Sequence, residues 1–139
     1  MSWTNIRSYF NDRCEEQGLS EWEDAFNTDD IPSTVIDGSF HVQFKDFDGD
    51  GQNHRDQETT VNVEVQFFLK GFAKPRDAVD AVIIKAEAIV KSSIIETNRL
   101  TQDFKNVIFR SMSIEPFSDS NDNIARARMQ FSIRSILQP

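Results

Sequence analysis

Among its 139 residues the chain has one cysteine, two histidines, one tyrosine and five glycines. A single cysteine, Cys14, leaves no partner for an intramolecular disulfide and excludes a cysteine-only zinc cage. His41 and His54 show neither an HExxH arrangement nor a short His–His spacing, so no zinc site of ordinary pattern is expected. Gly49 and Gly51 do not lead from a buried strand into a helix, so there is no phosphate-cradling loop. No apolar run approaches the roughly 18 residues that a membrane-spanning helix needs. The opening residues carry no apolar stretch of the kind a secretory signal uses, and the expectation is a protein kept in a reducing cytosol. Basic residues are also in deficit. Lys and Arg number 15 against 23 Asp and Glu, a net charge of −8, which argues against a nucleic-acid coat.

What is present is enough for a folded domain. Apolar residues make up 38% of the chain, charged residues 27%, and there are 12 Phe. That balance is globular rather than disordered. No repeat or low-complexity linker divides the chain, so one domain over residues 1–139 is expected. The charge is uneven. Residues 1–60 hold 14 acids and 4 bases, while residues 61–139 hold 9 acids and 11 bases. Such asymmetry either steers one subunit's acidic face toward another's basic face or is a solvated flank kept for solubility.

Periodicity predicts the elements. Trp3, Ile6, Phe10 and Cys14 fall at helical spacing over residues 3–17, with Gly18 as the stop. Cys14 shares that apolar phase, which reads as core rather than as a nucleophile. Residues 19–38 read as an irregular acidic loop. Phe40, Val42 and Phe44 alternate with His41, Gln43 and Lys45, and Val61, Val63, Val65 and Phe67 alternate with Asn62, Glu64, Gln66 and Phe68. These are two strands of a hairpin whose polar tip spans about residues 46–58. Pro75 opens a helix in which Val79, Val82, Ile83, Ala86, Ile89 or Val90, Ser93 and Ile94 keep helical spacing to about residue 96. Two strands follow, over 107–114 and 125–134. The expected fold is α+β in the order α-β-β-α-β-β. It has an antiparallel four-stranded sheet, a long helix packed on one face and a short N-terminal helix. Sheet edges unprotected by bulges or Pro invite pairing with another chain.

Three features bear on function. Asp46, Asp48, Asp50 and Gly51 copy the first half of an EF-hand loop, but the twelfth position is Gln57 where a bidentate Glu is required. The three aspartates therefore read as contacts of a hairpin tip, solvated or ordered against a partner. Arg126, Arg128 and Arg134 lie on the outward face of one strand. They meet an acidic neighbour or a DNA passage, or they pair with Glu64 or Glu115 in the same sheet. Phe68, between Phe67 and Leu69, puts a large apolar group on the second sheet face, which needs cover from the first helix or from another subunit. No catalytic residue, metal site or cofactor is expected.

The ordered pattern resembles the bacteriophage tail terminator (tail completion) family. The features that carry the likeness are the short N-terminal helix and the hairpin with a long polar tip. To these are added the Phe-Phe-Leu-Lys-Gly-Phe-Ala exit into a long Ala/Ile/Val helix and the closing strand Ala-Arg-Ala-Arg-Met-Gln-Phe-Ser-Ile-Arg. The likeness covers residues 1–137 and is architectural. Related neck and head-completion connector proteins share parts of it. It implies a non-enzymatic virion protein of the tail or neck, present in host cytoplasm during assembly. Its subunits form a ring, commonly six-fold, that caps the tail tube, ends tube polymerisation and offers the head–tail joining surface. The implied partners are other copies of the chain, the tail tube protein, the head–tail connector protein and genome DNA passing through the lumen without specific binding. No membrane is involved. Two other classes are distinguishable from this one. A small-ligand-binding or catalytic α+β domain would show a deep pocket near His41 or a cation at Asp46, Asp48 and Asp50. A dimeric interaction module would show two-fold symmetry.

Overall fold

Helix α1 (Trp3–Glu15) carries an apolar residue at every fourth position, Ile6, Phe10 and Cys14, and all three are fully buried. It stops at the expected glycine. Gly18 takes a left-handed φ of 81°. Its N–H donates to Glu15 O at 2.9 Å, and the Leu19 N–H donates to Cys14 O at 3.3 Å. These two bonds make a Schellman cap, and they turn buried Leu19 back toward the core that Cys14 enters. The structure, a computed structural model, describes residues 3–22, 37–49, 57–70, 74–95, 104–116 and 124–137.

After the cap the chain forms β1 (Ser20–Glu21), which pairs in parallel with the start of β2 (Ser39–Gly49). Strand β2 is antiparallel to β3 (Gln57–Lys70), and β3 is antiparallel to β5 (Ile124–Leu137), as is β4 (Phe104–Pro116). The strand order is β1-β2-β3-β5-β4. The α+β class therefore stands, and the expected four-stranded antiparallel sheet is corrected to a five-stranded mixed one. Two residues carry no alternation, so β1 left no periodic signal; its position follows from Leu19 being buried and from Trp22 N–H donating to Phe40 O at 3.0 Å. The polar tip is also shorter than the expected 46–58, because Asp48 pairs with Thr60 and Gly49 with Thr59. Residues 23–36 and 50–56, with Asp50 and His54, lie outside the described residues.

Helix α2 (Pro75–Ile95) starts as its sequence dictates. Lys74 O accepts from Asp77 and Ala78 N–H, which places Pro75 in the first turn, where its missing N–H costs nothing. Asp77 favours the positive end of the helix dipole. The buried stripe is Ala78, Val82, Ala86, Ile89 and Ser93, rotated slightly from the expected one so that Ile94 is exposed. Helix α2 lies over β3, β4 and β5, and α1 lies over β1 and β2.

Both helices cover the same sheet face. Phe40 and Val42 from β2, Val63, Val65 and Phe67 from β3, and Met129, Phe131 and Ile133 from β5 form one core with the stripes of α1 and α2. Phe131 is its hub, 4.9 Å from the Phe10 ring and 5.8 Å from the Phe109 ring between centroids. The first helix thus does not cover the opposite face, as had been allowed for Phe68. Among the described residues no helix is long and apolar enough to cross a membrane.

Phe131→Ala removes the hub and is expected to cost about 3–5 kcal/mol in urea unfolding. Gly18→Ala meets no atom within 4 Å of the new Cβ, so its expected cost is the left-handed backbone alone, about 1–2 kcal/mol. A Gly18→Ala variant as stable as the parent would contradict the cap.

Candidate functional site

Among the described residues the second sheet face carries no helix, and its side chains form two polar rows that run across the strands. In the first row, Arg110 Nε donates to Ser132 Oγ at 2.9 Å, Ser132 Oγ donates to Asn62 Oδ1 at 2.7 Å, and Asn62 Nδ2 donates to Asp46 Oδ1 at 2.5 Å. That row crosses β4, β5, β3 and β2. In the second row, Lys45 Nζ meets Glu64 Oε2 at 2.9 Å, and Arg128 Nε donates to Glu64 Oε1 at 2.6 Å. Arg128 also approaches Glu115 at 3.8 Å, and Arg126 Nε donates to the same Glu115 at 3.0 Å. Gln66 Nε2 adds a bond to Glu64 at 2.7 Å.

Two β-bulges fall at cations of this face. The register of β2 against β3 slips between Phe44 and Asp46, and that of β4 against β5 slips between Phe109 and Ser111. A bulge opposes two residues to one and re-aims the extra side chain. The extra residues are Lys45 and Arg110, and both reach partners on the helix-free face.

Glu64 is the centre of the arrangement. Its side chain has 0% exposure, while Arg128 and Lys45 keep 36% and 41%. Burial by itself raises a carboxyl pKa. Here the hydrogen bonds and charges of Arg128 and Lys45 outweigh burial and hold Glu64 below its ordinary value. The hydrogen bond to Glu64 in turn raises Arg128. Both groups are therefore pushed away from neutrality and stay charged, the opposite of a general acid or base tuned near pH 7. An open depression of about 280 Å³ lies over them, lined by Lys45, Asp46, Asn62, Glu64, Arg110 and Arg128.

The expected site residues fall in different places. Arg126 and Arg128 are on this face and pair within the sheet, with Glu115 and Glu64, which is the intramolecular one of the two readings. Arg134 is exposed further along β5, opposite Thr60. Phe68 faces the same side but has 0% exposure in the single chain. Asp46 accepts from Asn62 within the strand pair, so it is part of the sheet rather than of a loop; Asp48 lies in β2 opposite Thr60. His41 is half-buried and neutral at pH 7, lowered first by desolvation and further by the Arg7 charge, against a hydrogen bond to the Trp22 backbone. Cys14 is buried, and burial pushes its thiol well above the usual range. Among the described residues no group of three His, Cys, Asp or Glu gathers as metal ligands. Sequence reasoning missed Lys45, Asn62, Arg110 and Ser132. The available signal was the spacing of three between Phe44 and Phe47 and between Phe109 and Met112, where an unbroken strand uses two.

The lowered Glu64 pKa gives a pH prediction. Its stabilisation is fully present above the unfolded value near 4.5 and is lost as pH falls through the lower folded value. The stability difference between the parent and Glu64→Gln should therefore shrink as pH is lowered from 6 toward about 3; a difference that stays constant would contradict the pairing. Comparison with known protein families finds no match, and comparison with curated proteins finds none.

Proposed function

We propose that the protein is a structural, non-enzymatic component of a phage tail or neck. In this reading its subunits form a ring, six-fold in the form expected, that caps the tail tube and ends its polymerisation. The ring presents the surface that joins the head–tail connector, and genome DNA passes through its lumen without specific binding. The protein is in host cytoplasm during assembly and in the virion afterwards.

The observation that carries the reading is the helix-free sheet face, with its charges tied to one another across four strands. Such a face is a stiff polar plate, well suited to contact another protein. A catalytic cleft would present acid and base groups tuned toward neutrality, and Glu64 and Arg128 are tuned away from it. The family resemblance over residues 1–137 supplies the identity of the partners.

The test is tube growth. Added to polymerising tail tube protein, the chain should halt elongation and appear by electron microscopy as a ring at one tube end. Tubes of unchanged length with bare ends would overturn the proposal.

A further inference from the structure

The open depression on the helix-free face holds more hydrogen-bond donors than its own residues use. Both oxygens of Glu64 are taken, Oε1 by Arg128 and Gln66 and Oε2 by the Lys45 charge. Asp46 Oδ1 accepts from Asn62. The donors are less occupied. Lys45 Nζ carries three N–H groups and meets Glu64 with one side of them. Arg128 uses its Nε, while its Nη1 stays 3.8 Å from Glu115, beyond hydrogen-bond distance. Arg110 uses only its Nε, on Ser132. Among the described residues no carboxylate pairs with Arg110. Its side chain is exposed, but Ser132 is buried, and the bond to it fixes the guanidinium plane. The Nη1–Nη2 fork is thereby held at the rim with no acceptor of its own.

Counting the pairs sets the charge of the missing acceptor. The lining holds three cations, Lys45, Arg110 and Arg128, against two carboxylates, Asp46 and Glu64. One positive charge is left over, and Arg126 beside it is paired with Glu115. We infer that the depression binds a single carboxylate, the side chain of an Asp or Glu on a partner protein, with Arg110 holding it from the rim and Lys45 and Arg128 completing its hydrogen bonds. A planar group with two acceptor oxygens matches the guanidinium fork. A phosphate dianion or a nucleic-acid strand brings more negative charge than the depression offsets, and Asp46 opposes it. That a protein docks on this face rests on the structural reading above. The preference for a carboxylate rests on the depression's own donors.

Titration of the intact protein, followed by its backbone amide NMR signals at pH 7 and constant ionic strength, tests the inference. The probes are acetate, inorganic phosphate, a blocked alanine peptide carrying one glutamate, the same peptide with glutamine, and a short single-stranded DNA. Acetate and the glutamate peptide should shift the amides of Lys45, Arg110 and Gln130 saturably, with a dissociation constant on the order of 10 mM. The glutamine peptide should shift none of them. Arg110→Gln should weaken the glutamate peptide by about tenfold or more. Asp46→Asn keeps an acceptor for Asn62 and removes the opposing charge, so it should tighten the peptide by about threefold and admit phosphate. A gain of binding of this kind is not produced by misfolding. Shifts that do not saturate, equal shifts by the two peptides, an Arg110→Gln variant that is folded and binds like the parent, or tighter binding of phosphate or DNA than of the glutamate peptide by the parent would each overturn the inference. Capped tubes from a protein that ignores the glutamate peptide would overturn this inference alone, and bare tube ends from a protein that binds it would overturn the ring reading alone.

Discussion

A carboxylate without solvent sits in the middle of the sheet, and the helix-free face is organised around satisfying it. Moving an ionised carboxylate out of water costs several kcal/mol unless close, well-aligned partners compensate. Glu64 has those partners on the strands at either side: Lys45 from β2 at 2.9 Å and Arg128 from β5 at 2.6 Å. Each lies where the register puts it. Gln43 and Gln130 are directly opposite Glu64, and Arg128 is the next same-face residue along β5. Lys45 is the next same-face residue along β2 after Gln43, and the bulge there makes Asp46, rather than Lys45, the partner of Asn62. The charge balance and the strand register therefore depend on each other: a register slip would leave Glu64 buried and unpaired.

The two faces of the sheet divide the work. One is dry, closed by α1 and α2 around Phe131, and it supplies the hydrophobic stabilisation. The other is polar and bonded along its rows, with Asp46, Asn62, Ser132 and Arg110 in one line and Lys45, Glu64, Arg128 and Glu115 in the next. Interlocked rows hold their side chains at fixed positions, which favours recognition by shape and charge over chemistry. The proposed structural role draws on that property.

Much of this was legible in the sequence, for physical reasons that differ by element. Helices α1 and α2 follow from apolar spacing and from Gly18 and Pro75. Strands β3 and β5 follow from alternation in which Val63, Val65, Met129 and Phe131 share one face. Pairing of Arg126 and Arg128 with Glu115 and Glu64 was readable as one of two alternatives, because all four occupy polar positions of strands. Strand β1 was not readable: two residues have no period, and their pairing is decided by a tertiary contact with β2. The hairpin tip was overestimated because Asp46, Asp48 and Gly49 have poor strand propensity, overridden here by pairing with β3. The roles of Lys45 and Arg110 were missed because alternation gives the face that a residue occupies but not which residue of a neighbouring strand it meets, and a bulge changes that pairing.

The account turns on Glu64 being held ionised by its neighbours, and a double-mutant cycle of Glu64→Gln and Arg128→Met, read by urea unfolding at pH 7, measures that directly. The account predicts a coupling of about 2–3 kcal/mol between the two positions, with Arg128→Met much less harmful once Glu64 has lost its charge. Additive effects, with a coupling under about 0.5 kcal/mol, would contradict it.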